Sequence, residues 1–330
     1  MVRTTLKLRC ALSGAMSVLV LIGCGGSGGG TGGQAIPYAV TKLVLNQGAF
    51  TGYAYSVNDK GVVCGSEAFG NGTRQDIGAS WNGPTHPAAV PFLDSVTQIE
   101  LASAVSPSGN WIGGLSHDGG SGTPERAFVY NAKAHSFHVL KLEGSPNLQV
   151  SVTAVDDSGN PTGVINSLGL TFVYDLATDT YQTTLTPDYS GKVNPPSGFN
   201  TAQIWGYSGN FAFAAGSANN ASGIRFPAIW NTATGQGRII DPANGGYAFA
   251  ISNDGTVAVC RKDVPSGLAE VWTSSSGLKS LLSVVQSAGL GADWVTTDFE
   301  CLSPSGNWLT CVGKVGAAYS FSYPVLIRIK

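Results

Sequence analysis

Apolar and polar residues alternate in short runs along most of the chain, and small polar residues followed by glycine interrupt the runs. Six interruptions share one pattern: Ser, Asn or Asp, then one or two polar residues, then Gly, then apolar residues again. Alternation with a period of two is typical of half-buried β-strands, and turns of this composition are typical of hairpins. The glycines of the six predicted hairpins are Gly61, Gly109, Gly159, Gly209, Gly255 and Gly306.

The hairpins recur at a nearly constant period. Successive turn glycines are 48, 50, 50, 46 and 51 residues apart, and self-similarity of this kind indicates a repeat architecture. In each hairpin we expect the Asn, Asp or Ser side chain to bond back to the backbone of a type I turn. The glycine then takes the left-handed conformation that closes the turn. We therefore interpret these polar residues as structural and not as catalytic.

Each hairpin is followed by two further apolar elements. The first of them ends in an aromatic residue, as at Trp81, Tyr130, Tyr174, Trp230 and Trp272. We predict fourth strands after a short polar turn, over residues 89–93, 137–142, 181–185, 238–240 and 278–282. Four strands per unit, at a period of about 50 residues, are typical of the blades of a β-propeller.

The sixth unit lacks a fourth strand, because the chain ends in its third strand at Lys330. A leftover apolar strand precedes the first hairpin. We expect residues 38–46 to pair with residues 322–330, so that the N-terminal strand closes the last blade and hides its edge. The sequence therefore predicts an all-β fold, a single six-bladed β-propeller over residues 37–330.

The hairpins and aromatic strands resemble the HAF-type extracellular repeat, a propeller-forming family of secreted bacterial proteins. The matching features are the Asn/Ser-x-x-Gly hairpins, the strands at 127–130 and 228–230, and an insertion over 281–294. The resemblance covers residues 38–330 and implies the fold and secretion, but little about activity. The family's His-Ala-Phe triplet has Arg126 or Leu170 in place of its histidine. No role of that histidine is carried over.

The N-terminal segment has a different pattern. Three basic residues within positions 3–9 precede an apolar stretch over 11–22. This stretch is shorter than the roughly 20 residues of a membrane-spanning helix and is typical of a signal peptide. Residues 21–24, Leu-Ile-Gly-Cys, resemble the lipobox of bacterial lipoproteins, which implies cleavage between Gly23 and Cys24 and lipidation of Cys24. The alternative is an ordinary secretory signal that contains a cysteine.

Residues 25–33 are almost pure glycine and are expected to form a flexible tether. The predicted organisation is a lipoprotein signal peptide over 1–23, a lipidated cysteine and tether over 24–36, and the propeller over 37–330. We expect an extracytoplasmic protein that is attached to a lipid bilayer through Cys24. If the organism has an outer membrane, that membrane is the expected location.

Composition narrows the classes of partner. Only 12% of residues are charged and the net charge is −2, so the sequence offers no basic surface for nucleic acid and we expect no such partner. The 45 glycines suit short strands joined by tight turns. No Cys-x-x-Cys pair supports a zinc site, and we expect neither a metal nor a cofactor.

The predicted mature protein contains four cysteines besides Cys24, in a compartment that permits disulfides. If one disulfide forms, we expect it between Cys301 and Cys311. The register that we predict for their hairpin places Cys301 opposite Leu309 and Cys311 diagonally on the same face. The alternative is four free, buried thiols at Cys64, Cys260, Cys301 and Cys311.

Two acidic residues are the candidates for a site at the mouth of the central channel. Asp298 and Glu300 begin the inner strand of the last blade, and their two-residue spacing puts both side chains on one face of a strand. A glycosidase would need two carboxylates on either side of a substrate; a solvated strand end is the alternative. His135 and His138 are three residues apart in a predicted strand, which places them on opposite faces and disfavours joint metal binding.

Two classes of function remain. The sequence has no Gly-x-Ser-x-Gly elbow and no His-Glu-x-x-His motif, and we predict no catalytic residue. This favours a membrane-anchored, extracytoplasmic binding or scaffolding propeller, with a protein or glycan ligand that the sequence does not identify. The alternative is an extracytoplasmic hydrolase or lyase that acts on glycan or peptide at the channel mouth. Propeller sites are assembled from separate blades and leave no linear motif.

Overall fold

The computed structural model describes residues 38–70, 74–91, 99–117, 126–142, 150–165, 170–185, 193–263, 268–315 and 320–330. Within these ranges the chain forms 24 β-strands and one α-helix, and no helix is long and apolar enough to span a membrane. The predicted signal peptide, Cys24 and the glycine-rich tether lie outside the described residues. The strands form six four-stranded antiparallel blades arranged in a ring, which confirms the predicted six-bladed β-propeller.

The first three blades follow one another along the chain. Blade 1 contains β2 (Ala49–Val57), β3 (Val62–Gly70), β4 (Arg74–Asn82) and β5 (Ala88–Ala89). Blade 2 contains β6 (Ile99–Val105), β7 (Trp111–His117), β8 (Arg126–Asn131) and β9 (Ser136–Val139). Blade 3 contains β10 (Val150–Val155), β11 (Pro161–Ile165), β12 (Leu170–Asp175) and β13 (Thr180–Leu185).

Blades 4 and 5 repeat this order, and blade 6 draws on both ends of the propeller sequence. Blade 4 contains β14 (Thr201–Tyr207), β15 (Phe213–Asn219), β16 (Arg225–Asn231) and β17 (Gly237–Ile239). Blade 5 contains β18 (Gly246–Ile251), β19 (Val257–Lys262), β20 (Ala269–Thr273) and β21 (Gly277–Ser280). Blade 6 contains β22 (Trp294–Leu302), β23 (Trp308–Val315), β24 (Ser320–Arg328) and β1 (Ala39–Lys42).

The N-terminal strand closes the ring, as predicted. β1 pairs antiparallel with β24, from Ala39 opposite Arg328 to Lys42 opposite Val325. The segment after β1 continues the joint, because Leu43 is fully buried and the Val44 carbonyl accepts a 2.8 Å hydrogen bond from the Trp81 indole. Blade 6 therefore has its fourth strand, and β24 is not exposed as an edge.

Three of the predicted fourth strands are too long, since β5 ends at Ala89 and β9 at Val139, and the last one runs into a helix. β21 ends at Ser280, and Leu281 and Leu282 belong to helix α1 (Leu281–Ser287) instead. The Ser280 hydroxyl caps this helix by accepting a hydrogen bond from the Ser283 backbone N–H. Leu281 is fully buried in the core between blades 5 and 6. The apolar residue that suggested a strand is therefore part of a helix that packs on this core.

The first residue of each hairpin turn bonds back to the turn backbone, as expected. Ser106, Ser208 and Ser303 each accept a hydrogen bond on Oγ from the backbone N–H five residues later. In five turns the glycine has a positive φ, between +68° and +90°. The prediction for Gly209 is wrong, because the left-handed residue of the fourth turn is Phe211, with φ +56°.

The predicted register of the last hairpin is also wrong, and with it the proposed Cys301–Cys311 bridge. The turn closes between Ser303 and Trp308, one residue later than expected, so Cys301 lies opposite Thr310. Cys311 therefore points to the other face of the sheet. Cys301 packs in the core towards blade 1, whereas Cys311 is a free, buried thiol in the core towards blade 5.

The hydrophobic core is divided into clusters between adjacent blades. Five clusters combine buried side chains of two neighbours, and they join blades 1 and 2, 2 and 3, 4 and 5, 5 and 6, and 6 and 1. The sixth cluster contains blade 4 together with Val193 and Phe199 of the preceding segment, and no described residue of blade 3. The boundary between blades 3 and 4 therefore differs from the other five.

Candidate functional site

The first strand of each blade lies towards the axis of the ring, where β2, for example, contacts the first strands β6 and β22 of its two neighbours. The six hairpin turns share one end of the ring, which we call the turn end. The second strands run away from these turns, so residues late in a second strand lie at the opposite end, which we call the far end. Arg261 and Lys314 are both next to last in their second strands.

Four charged side chains meet at the far end, between blades 5 and 6. One guanidinium nitrogen of Arg261 donates to Asp298 Oδ1 and, at 2.5 Å, to Glu300 Oε2. Lys314 Nζ lies 2.6 Å from the second oxygen of Asp298. The second oxygen of Glu300 accepts a 2.9 Å hydrogen bond from the Thr297 hydroxyl. The structure thus brings both sequence-predicted acidic residues to one arginine, and we call these four charged residues the ionic cluster.

A distortion of the inner strand places the two carboxylates. The register of β22 shifts between Asp298 and Cys301, and Phe299 in this bulge has a left-handed φ of +54°. A non-glycine residue in this conformation carries strain that the surroundings must offset. The Phe299 ring packs edge-on against Tyr53 and Tyr55 of blade 1, with centroids 5.2 Å and 5.8 Å away. These contacts hold the bulge that separates the two acids.

Burial and opposite charge act in opposite directions on the pKa values of Asp298 and Arg261. Burial raises the pKa of the Asp298 carboxyl, but Arg261 and Lys314 outweigh burial, and the net shift is downward. Burial lowers the pKa of the Arg261 guanidinium, but Glu300 and Asp298 outweigh it and raise the pKa. The Glu300 side chain is fully buried and the other three are 17–22% exposed. The cluster therefore pairs two carboxyl side chains with two basic side chains at salt-bridge distance.

This arrangement differs from that of an acid–base pair. A general acid that works near neutral pH needs a raised pKa, whereas that of Asp298 is lowered. Both oxygens of each carboxylate already accept hydrogen bonds or contact a cation. The geometry suits the fixed presentation of charged groups better than proton transfer.

A second group of side chains lies beside the cluster, between blades 4 and 5. Arg225 donates to Asp263 through Nε, at 2.8 Å, and through a terminal nitrogen, at 2.5 Å. The guanidinium carbon lies 4.7 Å from the Tyr247 ring centroid and 5.8 Å from that of Trp205. The two ring centroids are 5.0 Å apart. Arg225 begins a third strand and Asp263 follows a second strand, so this group also lies at the far end.

Sequence reasoning missed the cations of both groups. Arg261 contacts residues 37 and 39 positions away, and Arg225 contacts a residue 38 positions away, each on a neighbouring blade. No local motif carries such a pairing. The repeat does not identify these pairs either, because 37–39 residues is less than the period of 46–51 residues and the paired residues are not at equivalent positions of their blades.

The two histidines do not form a site together. His135 lies in the turn before β9, where its Nδ1 is 3.0 Å from the Tyr130 hydroxyl, whereas His138 Nε2 is 2.9 Å from Asp179. The prediction that both lie in a strand is wrong for His135, which has a left-handed φ of +50°. Over the described parts of the chain, no group of three or more His, Cys, Asp or Glu residues could hold a metal ion.

A cavity of about 310 Å³ lies at the turn end, between blades 5 and 6. Its lining includes Tyr38, the hydroxyls of residues 273–276 and Lys330. Lys330 Nζ is already bound to Asp254, Thr256 and the Ser305 carbonyl, at 2.8–2.9 Å. This cavity is separate from the far-end groups.

Of the comparisons with known proteins, only the one with solved structures finds matches. No family model matches the chain, and no curated protein does. A solved structure of YCF48 bound to D1 peptide is 10% identical with a TM-score of 0.46, over 89% of this chain and 97% of that one. The propeller domain of the Trilobed protease from Pyrococcus furiosus is 10% identical with a TM-score of 0.39, over 80% of each chain. TolB from Acinetobacter baumannii is 14% identical with a TM-score of 0.36, over 78% of this chain and 60% of that one. At these values no function is carried over.

Proposed function

We propose that this protein is a lipid-anchored, extracytoplasmic binding or scaffolding propeller whose ligand contacts lie at the far end of the ring. The observation that carries the proposal is the ionic cluster. Its two acids are the candidates that the sequence offers for a site at the channel mouth, and both are bound by Arg261. A binding surface needs charged groups held in fixed positions, whereas a hydrolase needs one of them free to exchange a proton.

The aromatic side chains around the cluster support recognition. Trp205 and Tyr247 flank Arg225, and Phe249 lies 5.6 Å from the Arg261 guanidinium. Aromatic rings offer large apolar contacts at little entropic cost, and fixed guanidinium groups give direction to polar contacts. Protein and glycan ligands both suit such a surface.

The path of the chain into the propeller is consistent with anchoring. β1 begins opposite Arg328, which also lies opposite Trp308 just after the last hairpin turn. The tether that we propose therefore joins the ring at the turn end. In a protein attached through a lipid on Cys24, the tether and the two charged groups would therefore lie at opposite ends of the ring.

Binding is tested with glycan and peptide arrays, and turnover with glycosides, peptides and esters. We expect an array ligand whose affinity falls at least about tenfold in Asp298→Asn, because Lys314 and Arg261 lose an anionic partner. Asp157→Asn makes the same chemical change at the turn end and is expected to leave binding unchanged. Turnover that Asp298→Asn or Glu300→Gln abolishes, at unchanged melting temperature, would overturn the proposal in favour of a hydrolase or lyase.

Anchoring is tested by mass spectrometry of protein isolated from the envelope. We expect a lipid-modified N-terminus at Cys24 and release of Cys24→Ser from the membrane fraction. An intact N-terminus, or a Cys24→Ser protein that still fractionates with membrane, contradicts the lipid anchor. It does not affect the proposed binding function, which the array experiment tests.

A further inference from the structure

Three aromatic rings in line join the two charged groups of the far end. They belong to Trp205 of β14 and to Tyr247 and Phe249 of β18, and we call them the aromatic row. Successive ring centroids are 5.0 Å and 6.3 Å apart, and all three residues are partly exposed. The row begins beside Arg225, 4.7 Å from the Tyr247 ring, and ends beside Arg261, 5.6 Å from the Phe249 ring.

A close approach of two inner strands places the row. A Cβ at Gly206 would lie 2.1 Å from the Phe249 carbonyl oxygen, so glycine is the residue that lets β14 and β18 come this near to each other. Both strands also have a register shift here, at Trp205 in β14 and at Phe249 in β18. Bulges of this kind redirect side chains, and these two bring rings of two blades into one row.

The charged groups at the two ends of the row contain equal numbers of carboxyl and basic side chains. Asp263 lies at salt-bridge distance from Arg225, and the ionic cluster adds two side chains of each kind. A charged ligand would compete with these internal partners. An uncharged hydroxyl can bond to both members of a pair, because a guanidinium has several N–H donors and a carboxylate several acceptor sites. The Arg225 and Asp263 side chains are 35% and 30% exposed and so accessible to such a ligand.

We propose that the aromatic row, with the charged pairs at its two ends, binds a chain of uncharged pyranose sugars. This inference rests on the proposed binding function and names its ligand class. A sugar ring has an apolar C–H face that packs on an aromatic ring, and hydroxyl groups at its edge that bond to carboxyl and guanidinium groups. Three rings in line offer contacts to successive sugars, so an oligosaccharide is favoured over a single sugar.

The charged pairs favour a glycan over a peptide. Peptide segments contact charged groups chiefly through charged side chains of their own. At Arg225 or Arg261 such a side chain would have to displace a carboxylate that is already bound at 3.0 Å or less. Sugar hydroxyls add to these pairs without displacing either member.

The test measures binding of tetrasaccharides to the mature protein by isothermal titration calorimetry. The uncharged probes are tetramers of glucose, mannose, xylose and N-acetylglucosamine, and the charged probes are tetramers of galacturonate and mannuronate. We expect an uncharged tetramer to bind with an affinity that changes less than about twofold between about 0.05 M and about 0.5 M salt. Its disaccharide should bind at least about tenfold more weakly, because it reaches fewer rings.

A matched pair of variants locates the site. Tyr247→Leu keeps an apolar side chain but removes the central ring of the row, and is expected to weaken binding at least about tenfold. Phe211→Leu makes a similar change at a 45% exposed ring of the turn end and is expected to bind normally. Melting temperatures show whether both variants are folded.

A third variant tests the role of the charged pairs independently of the ring. Asp263→Asn leaves Arg225 without its carboxylate partner. We expect this variant to gain affinity for a charged tetrasaccharide, and we expect salt to reverse the gain. No gain overturns the argument from charge pairing, whether or not Tyr247→Leu folds.

Other outcomes separate this inference from the proposed function. No uncharged tetramer that binds more tightly than about 1 mM, tighter binding of a charged tetramer to the unchanged protein, or full affinity of a folded Tyr247→Leu overturns the sugar class. If a peptide array ligand is then found that Asp298→Asn weakens, the proposed binding function still holds. The absence of any ligand on both glycan and peptide arrays overturns the inference and the proposed function together.

Discussion

The two faces of blade 3 differ sharply. On the face towards blade 2, Phe172 and Tyr174 are fully buried in a core shared with that blade. Val173 lies between them in the same strand, points towards blade 4 and is 57% exposed. Val129 occupies the matching position of blade 2 and is fully buried against blade 3. The same residue type is thus core at one boundary and surface at the next, because the neighbouring blade, and not the strand, decides its burial.

The hairpin turns explain part of this difference. Hydrogen bonds join the turns of adjacent blades at five boundaries; between blades 2 and 3, for example, the Ser108 N–H donates to Asp157 at 2.6 Å. The position that matches Asp157 in blade 4 is Gly209, which has no side chain to accept such a bond. Between the described turns of blades 3 and 4, no corresponding hydrogen bond forms. A single substitution in a repeat can therefore remove the hydrogen bond between the turns of two adjacent blades.

The segment before blade 4 takes the place of the missing neighbour. Val193 and Phe199 pack on the side of blade 4 that faces blade 3. The Trp230 indole donates a 2.9 Å hydrogen bond to the Asn194 carbonyl. Blade 4 thus buries its tryptophan without any described residue of blade 3, and Val173 of blade 3 stays exposed. Among the described residues, five boundaries have a core shared by two blades and one, between blades 3 and 4, does not; we call it the loose boundary.

We expect the largest loss of stability when the closure of blade 6 by the N-terminal strand is removed. Deleting residues 36–46 removes β1, the buried Leu43 and the acceptor for Trp81, and exposes the edge of β24. With the boundary of blades 3 and 4 already loose, the ring would then be open at two places. We expect loss of the cooperative thermal transition and aggregation during size-exclusion chromatography. Deleting residues 25–33 is the control, and equal stability of both truncated proteins would refute the closure.

A smaller and more selective effect is expected from a matched pair of valines. Val129→Asp buries an unpaired carboxylate between blades 2 and 3 and should cost more than about 3 kcal/mol of unfolding free energy. Val173→Asp places the same group in solvent and should change stability by less than about 0.5 kcal/mol. Urea denaturation measures both. Similar losses would mean that blade 4 covers Val173 and that the boundary is not loose.

The sequence predicted those features that depend on the repeat period, and it failed where one residue shifts a register. Six hairpins, four strands per blade and closure by the N-terminal strand all follow from apolar alternation between turns at a regular spacing. The Cys301–Cys311 pairing failed because the last turn is one residue longer than expected, which reverses the face of Cys311. Gly209 was misassigned because the fourth turn has its left-handed position two residues later. Arg261 was missed because its partners lie on another blade.

The smallest predicted effect tests whether turn glycines hold the tight joints. Gly159 of blade 3 has φ +90°, and a Cβ there would lie 2.8 Å from the Trp111 ring of blade 2. Gly83 has φ +83° but open space around it, so Gly83→Ala should cost only the left-handed strain of about 1–2 kcal/mol. Gly159→Ala should cost clearly more, because Trp111 must also move.

The counterpart at the loose boundary is Phe211, which is 45% exposed and left-handed at φ +56°. Phe211→Gly relieves that strain but loses the ring contact with Tyr207, 5.9 Å between centroids, and loosens the unfolded chain. We expect these terms to offset each other to within about 1 kcal/mol. Urea denaturation measures the unfolding free energies of the three variants. If Gly159→Ala is no worse than Gly83→Ala, the glycine contact does not hold blades 2 and 3 together, and the buried valines must do so instead.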